Sequence, residues 1–312
     1  MVRIDIVMST FNAGSYLDDQ IRSIVEQSDS GWRLMIRDDG SSDQTPETIR
    51  KWTRNDKRII NRSDSDGNLG VTASYSRLLS QTDAEIVMIS DQDDIWKPDR
   101  VRSGRNQLTG MVELVGGHLP LLVHSDLELI NESGERIAES FWKYQGLNPG
   151  RTRRFLDLLV QNAVTGCTMT VNRSLLRKAL PIPEDAIMYD CWMGLVASLW
   201  GNIHTGKEPL ICYRQHDANF LGAQRYGHAY IMRKMLKFYD RDALRKSISA
   251  IVRQASCFLD RYSTEIPSES RDGLEFLARL DRAGFIEKRY GLIRYRLWKT
   301  GLARNLGWFL RV

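Results

Sequence analysis

Strand-like and helix-like segments alternate from the N-terminus of this chain, and this order limits the folds open to it more than any other property. The strand-like segments are short and apolar, whereas the helix-like segments carry apolar residues at helical spacing. Such alternation predicts an α/β fold of the Rossmann-like kind, with a mostly parallel central sheet flanked by helices. The predicted strands are Val2–Ser9, 32–37, 57–62 and Ala84–Ser90, and the predicted helices are 15–27, Thr45–Asn55 and 71–81.

Beyond residue 90 the pattern is mixed and then becomes helical. We predict a domain of residues 1–222 followed by a helical C-terminal extension of residues 223–312. The further predicted strands are Leu119–Ser125, Cys167–Asn172 and Glu208–Tyr213, and the further predicted helices are 152–161, Asp190–Trp200, 227–239, 241–262, 270–283 and a basic final segment.

The two predicted parts differ in charge. Residues 225–312 carry 19 Lys and Arg against 9 Asp and Glu, whereas residues 1–224 carry 25 against 30. The acidic part therefore contains the carboxylates that a metal site needs, and the basic part suggests an anionic partner. Hydrophobic residues make up 42% of the chain, an ordinary value for a folded globular protein.

The cysteine pattern and the N-terminal residues bear on the cellular compartment. Four scattered cysteines predict buried free thiols, which suits a reducing cytoplasm. Met1–Met8 shows no signal-peptide pattern, and no apolar stretch approaches the roughly 18–20 residues of a membrane span. We expect a cytoplasmic protein that is soluble or lies on the inner face of the plasma membrane. The cysteines are Cys167, Cys191, Cys212 and Cys257.

Polar residues cluster directly after three of the predicted strands. Thr10–Asn12 follows the first strand, Asp38–Asp43 the second, and Asp91–Asp94 the fourth. In open α/β sheets, ligands bind beyond the carboxyl ends of the strands. These three segments, which lie far apart in the chain, are therefore expected to meet in one crevice.

The most informative motif is the run Asp91, Gln92, Asp93 and Asp94 after an apolar strand. Clustered carboxylates beside a buried strand are costly unless a cation or hydrogen-bond donors neutralise them. Hard divalent cations bind carboxylate oxygens and keep positions open for substrate phosphates. The alternative interpretation is a row of acidic residues that favours the dipole of a following helix.

Two glycine-containing loops are candidates for nucleotide contacts. In the loop 37–43, an Asp could accept a hydrogen bond from the N–H of a uracil or thymine ring, and Gly40 permits close approach. The alternative for Ser42 and Asp43 is a turn that caps the next helix. Asn68 is either a helix cap or a nucleotide contact.

Two later positions are candidates for chemistry. Asp190 follows an irregular Pro-containing segment and opens an apolar helix, so it is either an N-cap or a general base at a pocket mouth. Arg214 and His216 end a predicted strand. A single His is more often structural, and the functional interpretation places His216 on a metal or a diphosphate.

Taken together, these motifs resemble the family 2 glycosyltransferases, which are inverting enzymes of the GT-A fold. The motifs occur in the order of the family and cover roughly residues 3–222. The form of the acidic motif and of the last motif is similar to a rhamnosyltransferase-like branch that often uses dTDP-L-rhamnose. The matching segments are S-T-F-N near residue 10, R-D-D-G-S-S-D at 37–43, N-L-G-V at 68–71, S-D-Q-D-D-I-W at 90–96, H-S-D-L at 124–127, N-A-V-T-G-C-T at 162–168, Y-D-C-W at 189–192 and Y-R-Q-H at 213–216.

The resemblance implies roles for individual residues. Asp190 is implied as the catalytic base, Asp93 as a ligand of Mn²⁺ or Mg²⁺, Asp91 as a nucleoside and metal contact, and His216 as a further metal or diphosphate contact. The implied acceptor-side residues are Gly166, Cys167 and Trp192. The implied nucleotide-sugar contacts are Thr10, Phe11, Asn12, Asp38 or Asp39, Asn68, Gly70, Asp91, Gln92 and Arg214.

The reaction implied is a single displacement that moves a sugar from a nucleoside diphosphate to an acceptor hydroxyl. The acceptor implied is a saccharide or a lipid-linked saccharide. The setting implied is the synthesis of a bacterial surface polysaccharide such as O-antigen or capsule. The alternatives are a UDP-hexose donor, or a non-catalytic scaffold that binds sugar nucleotides. A nucleotidyltransferase is less favoured, because Thr10–Gly14 lacks the Lys or Arg of a basic glycine-rich loop.

The last 25 residues, Lys288–Val312, carry seven Lys and Arg and no acidic residue, with aromatic and aliphatic residues between them. This composition suits contact with an anionic membrane surface. The alternative is a helix that packs on the rest of the protein with a solvated basic face. We expect no nucleic-acid partner, since no recognised module is present, and an oligomer is compatible with the sequence.

Overall fold

The computed structural model describes residues 3–150, 154–216, 225 and 241–312, and it has the expected α/β architecture with a mostly parallel central sheet. Seven strands form this sheet: β1 (Ile4–Thr10), β2 (Trp32–Asp38), β3 (Ile59–Asn61), β4 (Ile86–Ser90), β6 (Leu121–Ser125), β9 (Thr170–Asn172) and β10 (Asn202–Gly206). Their spatial order is β10-β6-β9-β4-β1-β2-β3.

The sheet is parallel except at β9, which pairs antiparallel with both β4 and β6. The chain enters β9 through a 3₁₀ helix, Gly166–Thr168. The predicted strand Cys167–Asn172 is therefore wrong in its first half. The Thr168 hydroxyl donates to the Thr165 carbonyl at 2.7 Å, a local bond that favours the turn over an extended chain.

A second, smaller sheet has the order β5-β11-β7-β8 and was not predicted. One of its strands, at 211–214, was predicted as Glu208–Tyr213, whereas the other three are too short to show a period of two in the sequence. Strand β11 pairs antiparallel with β5 and parallel with β7, so the residues after β11 lie beside the segment between β4 and β5. The strands are β5 (Ile95–Trp96), β7 (Glu128–Ile130), β8 (Arg136–Ala138) and β11 (Ile211–Arg214).

The helices next to the central sheet show why the helical spacing in the sequence was informative. In α1, Leu17, Ile21 and Ile24 recur every three or four residues and are fully buried. Helix α4 was not predicted, because Gly104 and Gly110 weaken its helical signal. These helices are α1 (Tyr16–Val25), α2 (Thr45–Asn55), α3 (Val71–Ser80), α4 (Arg100–Val115), α7 (Arg173–Ala179) and α8 (Tyr189–Trp200). A short helix, α5 (Phe141–Gln145), follows β8 in the chain.

The core of the central sheet lies around β1 and β4. All five residues of β4 are buried, as the continuous apolar run indicated. The register pairs Thr10 with Asp38 and Met8 with Ser90, so β1, β2 and β4 end at the same edge of the sheet. The polar residues that follow these three strands therefore start from neighbouring positions.

The chain divides into two compact units. The first contains Met1–Phe141, Val164–Glu184 and Met188–Gly222, and it includes both sheets. The second contains Trp142–Ala163, Asp185–Ile187 and Ala223–Val312. Nothing in the sequence indicated that the first two of these segments belong with the C-terminal residues.

The second unit is helical in the part that the structure describes. Phe155 and Phe258 lie with their ring centroids 5.0 Å apart, and Leu156 packs against Gly273. The predicted helix 227–239 lies outside the described residues. No helix among those described is long and apolar enough to cross a membrane. The helices of this unit are α6 (Phe155–Val160), α9 (Arg241–Tyr262), α10 (Ser268–Ala278), α11 (Phe285–Arg294) and α12 (Leu302–Arg311).

Candidate active site

The loops after β1 and β2 are joined by hydrogen bonds. The Thr10 hydroxyl donates to Asp38 Oδ1 at 3.0 Å. The Asn12 N–H donates to Ser41 Oγ at 2.8 Å, and Asn12 Oδ1 accepts from the Ser42 N–H at 2.9 Å. Asn12 has a φ of 46°, a left-handed conformation that Asn tolerates better than most residues. These bonds place the first two predicted clusters side by side.

The third cluster joins the first through Phe11 and Gln92. The Phe11 N–H donates to Gln92 Oε1 at 2.7 Å, and Gln92 Nε2 donates to the Phe11 carbonyl at 3.2 Å. Phe11 is 46% exposed, so it is available to a ligand. The three predicted polar segments therefore lie side by side, joined by hydrogen bonds.

Asp38 and Asp39 have different surroundings. Asp39 is buried, forms an ion pair with Arg37, and accepts the N–H groups of Leu69 and Gly70, both at 2.9 Å. Its carboxylate therefore holds the loop that begins α3. Asp38 is half-buried at the end of β2, which makes it the more accessible of the two for a ligand.

Asn68 and Gly70 lie in that same loop. Asn68 is exposed, and its Oδ1 accepts the Gly70 N–H at 3.1 Å. Gly70 is the N-cap of α3, with a φ of 77° that favours glycine. Asn68 is therefore not the N-cap, and its side chain lies at the surface beside the crevice loops.

Three carboxylates stand within four residues after β4. Burial and the charge of Asp93 raise the pKa of Asp91 to about 7. Burial and the same charge also raise the pKa of Asp94 well above its usual value. Asp94 Oδ1 accepts the Arg214 N–H at 3.2 Å, whereas Asp94 Oδ2 is buried without a hydrogen bond to the described residues. Burial and mutual repulsion thus oppose ionisation of Asp91 and Asp94, and a bound cation would favour their charged forms.

His216 reaches this cluster from the end of the second sheet. Its Nε2 lies 2.9 Å from Asp93 Oδ2, and its ring stacks on Tyr16 with centroids 4.8 Å apart. Arg214 is buried and donates to the carbonyls of Asp93 and Glu132 at 3.1 and 2.7 Å. The predicted grouping of Asp93 with His216 is present. Arg214 is instead buried against the backbone of the segment that follows β4, so it is less available for a nucleotide than we predicted.

Three residues of this site were missed by sequence reasoning. Asp94 was quoted in the motif without a role. The Tyr75 hydroxyl donates to the Ser90 carbonyl at 2.8 Å and to Asp91 Oδ1 at 3.2 Å, and the rings of Tyr75 and Tyr189 have centroids 4.2 Å apart. Tyr75 occupies an apolar position of a helix, so nothing in the sequence distinguished it from a core residue. Tyr189 was quoted in the motif at 189–192 without a role.

Asp190 lies in the first turn of α8, whose N-cap is Met188. The N-cap interpretation of Asp190 is therefore wrong. Burial raises the pKa of Asp190 to about 6, although the N–H groups of Cys191 and Gly166 stabilise its charged form. The charge of Asp190 in turn raises the pKa of Asp91, so the two carboxylates lie near enough to interact.

The predicted acceptor-side residues are not alike. Gly166 contacts Asp190 through its N–H and is packed against the Tyr189 hydroxyl. Cys167 is fully buried, and Trp192 is fully buried with its indole N–H donating to the Ala179 carbonyl at 3.0 Å. Both side chains are therefore interior, and the acceptor-side role of Cys167 and Trp192 stays a prediction.

A change at Gly166 tests this packing. A Cβ there would overlap the Tyr189 hydroxyl, so Gly166→Ala is expected to destabilise the protein by about 1–3 kcal/mol. The matched control is Gly110→Ala in α4, where a Cβ meets open space and the expected change is zero or a gain of up to about 1 kcal/mol. Urea unfolding measures both variants, and equal midpoints would contradict the packing role of Gly166.

The chemistry of the site fits a hard divalent cation. Ligand atoms of Asp91, Asp94 and Cys167 lie within 4.8 Å of one another. Burial and the nearby carboxylates raise the pKa of the Cys167 thiol well above its usual value, so the thiol stays protonated and is a poor ligand. Carboxylate oxygens with an unsatisfied buried atom instead suit Mg²⁺ or Mn²⁺.

The family of this chain follows from its sequence. Residues 5–178 match the model described as Glycosyl transferase family 2, and the chain belongs to that family. The predicted family is thus confirmed.

Two relatives align with most of this chain. It is 23% identical over 228 residues to the dTDP-rhamnosyl transferase RfbG of Shigella flexneri. This alignment covers 69% of this chain and 74% of that protein. It is 25% identical over 227 residues to an uncharacterized glycosyltransferase of Nostoc sp.. That alignment covers 70% of this chain and 66% of the relative. The chain thus spans just under two thirds of the Nostoc protein.

A solved structure supports the fold. The mannosyltransferase PcManGT from Pyrobaculum calidifontis, in complex with GDP-Man and Mn²⁺, matches with a TM-score of 0.58 and 14% identity. The match covers 95% of this chain and 73% of that protein. The predicted GT-A fold is thereby confirmed.

Proposed function

We propose that this glycosyltransferase moves a sugar from a nucleoside diphosphate to an acceptor hydroxyl, with inversion at the anomeric carbon. The observation that carries the proposal is the position of Asp190 next to the carboxylate cluster. Asp91 Oδ1 accepts the Tyr75 hydroxyl at 3.2 Å, and the Tyr75 ring lies 4.2 Å from the ring of Tyr189, the residue before Asp190. A donor held at the cluster and an acceptor at Asp190 would be aligned for direct displacement.

Asp190 is the proposed general base. Its pKa of about 6 leaves it ionised at neutral pH yet more basic than an ordinary Asp. It would accept the proton of the acceptor hydroxyl as that oxygen attacks the anomeric carbon. The N–H groups of Gly166 and Cys191 hold the carboxylate in place.

The acidic cluster is the proposed cation site. Asp91 and Asp93 would hold Mg²⁺ or Mn²⁺ together with Asp94, and His216 Nε2 lies 2.9 Å from Asp93 Oδ2. Such an ion supplies positive charge for the leaving diphosphate. On the nucleotide side, Asp38 and the exposed Phe11 ring are the proposed contacts for the base.

The proposed donor is dTDP-L-rhamnose, with synthesis of a bacterial surface polysaccharide as the setting and a saccharide or lipid-linked saccharide as the acceptor. The support for the sugar is the named activity of the Shigella relative. A UDP-hexose donor is the second candidate. We place the reaction in the cytoplasm, because all four cysteines are free thiols.

A thermal-shift screen of nucleotide sugars with Mn²⁺ tests the donor, since a ligand that binds only the native state raises its melting point. The expected result is a larger shift with dTDP-L-rhamnose than with UDP-glucose. Transfer or donor hydrolysis is then assayed with and without Mn²⁺. No turnover of any donor under either condition would favour a non-catalytic scaffold.

The pKa of Asp190 predicts the pH dependence. The carboxyl must lose its proton to act as a base, so kcat/KM is expected to rise as the pH passes through about 6 and to level off above it. The charges of Asp91 and Asp190 act on each other, so the measured midpoint belongs to both groups. A rate that falls between about pH 5 and 7 would contradict the role of Asp190 as a base.

A further inference from the structure

Helix α12 turns an apolar row toward solvent. Leu302, Leu306 and Leu310 recur at intervals of four residues and are 89%, 58% and 52% exposed. The other side of the helix is anchored by Trp308, which is buried and donates its indole N–H to the Leu297 carbonyl at 3.1 Å. The orientation of α12 is therefore fixed by packing, and the exposed leucines are not a frayed end.

Helix α11 carries a second exposed row beside the first. Ile286, Tyr290 and Ile293 are 81%, 59% and 57% exposed. Arg289 joins the two helices, because its Nη2 donates to the Leu310 carbonyl at 2.9 Å. The six residues of the two rows are called the α11–α12 surface below.

Exposed cations lie at the end of α11, beside this surface. Residues 285–312 contain seven Lys and Arg and a single acid, Glu287. Arg294 and Arg296 are exposed at the end of α11, and the Arg294 guanidinium lies 5.9 Å from the Tyr290 ring. Long basic side chains next to exposed aliphatic and aromatic ones match the polar and apolar layers of a lipid surface.

We propose that the α11–α12 surface docks on an anionic lipid bilayer, with the two apolar rows entering the region below the headgroups and the neighbouring cations, Arg294 and Arg296 among them, contacting lipid phosphates. A second copy of this chain fits less well, since it would bring two basic surfaces together. Nucleic acid also fits less well, because rows of Leu and Ile can form neither hydrogen bonds nor ion pairs with phosphates or base edges. The proposal does not depend on the identity of the donor sugar.

Sedimentation of the full chain with vesicles tests the proposal, without any nucleotide sugar. The vesicles contain phosphatidylcholine alone or about one third phosphatidylglycerol. The protein is expected to sediment with the anionic vesicles and to be released by salt. R294E/R296E is expected to lower the partition coefficient at least about 25-fold, because each cation near such a surface contributes roughly fivefold.

The apolar rows are tested by L302S/L306S/L310S, which is expected to lower partitioning into anionic vesicles at least about tenfold. The matched controls lie in the other unit: Leu114→Ser, at a side chain 84% exposed, and Arg54→Glu at an exposed position of α2. Both controls are expected to sediment like the wild type. Unchanged sedimentation of the two surface variants would overturn the proposal. A second outcome would also overturn it: a wild type that does not sediment with either kind of vesicle, together with light scattering in which the wild type is a dimer and the surface variants are monomers.

Discussion

Asp190→Asn is expected to bind the donor as the wild type does and to transfer sugar about 10²–10⁴-fold more slowly. The amide retains the shape of the carboxylate and can still accept the N–H groups of Cys191 and Gly166 through its oxygen. It cannot take a proton from the acceptor hydroxyl. Transfer is measured as kcat/KM with a soluble acceptor analogue, and donor binding by the thermal shift with Mn²⁺.

The matched control is Asp185→Asn, an exposed carboxylate five residues earlier in the chain. Substitutions at such surface positions change stability by about 0.5 kcal/mol or less, so its transfer rate should equal that of the wild type. Wild-type transfer by Asp190→Asn would show that another group accepts the proton. Loss of donor binding in Asp190→Asn would instead place this residue on the donor side.

The second large effect is expected for Asp93→Ala, which should lose the Mn²⁺-dependent part of donor affinity, roughly a hundredfold or more. Asp93 is buried, lies 2.9 Å from His216 Nε2, and raises the pKa values of both Asp91 and Asp94 through its charge. Its removal takes one ligand from the proposed cation site and leaves His216 without the carboxylate that orients it.

Isothermal titration with the donor, with and without Mn²⁺, measures this loss. Glu113→Ala, at an exposed position of α4, is the control. The Mn²⁺-dependent donor affinity of His216→Ala is expected to lie between those of the control and of Asp93→Ala, because this change removes an orienting partner but leaves all three carboxylates. Far-UV circular dichroism checks that each variant is folded. Donor affinity in folded Asp93→Ala that still rises with Mn²⁺ as in the wild type would contradict the cation site.

The fold was predictable where one signal was strong. Strand β4 was visible because its apolar run is continuous, and α1 because its buried residues keep helical spacing. The second sheet was not visible, because β5 has two residues and β7 and β8 have three each, too few to show a period. The turn at Gly166 was missed because the apolar residues beside it resemble a strand.

The site was predictable where the residue type alone indicates the chemistry. Carboxylates after a strand indicated the cluster, and the end of β11 indicated His216. Burial was not predictable in the same way. Trp192 and Cys167 were assigned to the acceptor side from their place in a motif, and only packing shows that both are interior. The partners of Asp39 likewise come from the loop of residues 67–70, a contact that no local pattern reveals.

The pairing of β11 with β5 sets a minimum length for a working fragment of this protein. The match to the family model ends at residue 178, before both Asp190 and His216. A fragment trimmed to the matched segment would keep Asp91, Asp93 and Asp94 but would lack the imidazole and the proposed base. Expression trials should therefore extend at least through β11 and His216, and a nascent chain cannot complete this cleft until β11 has left the ribosome.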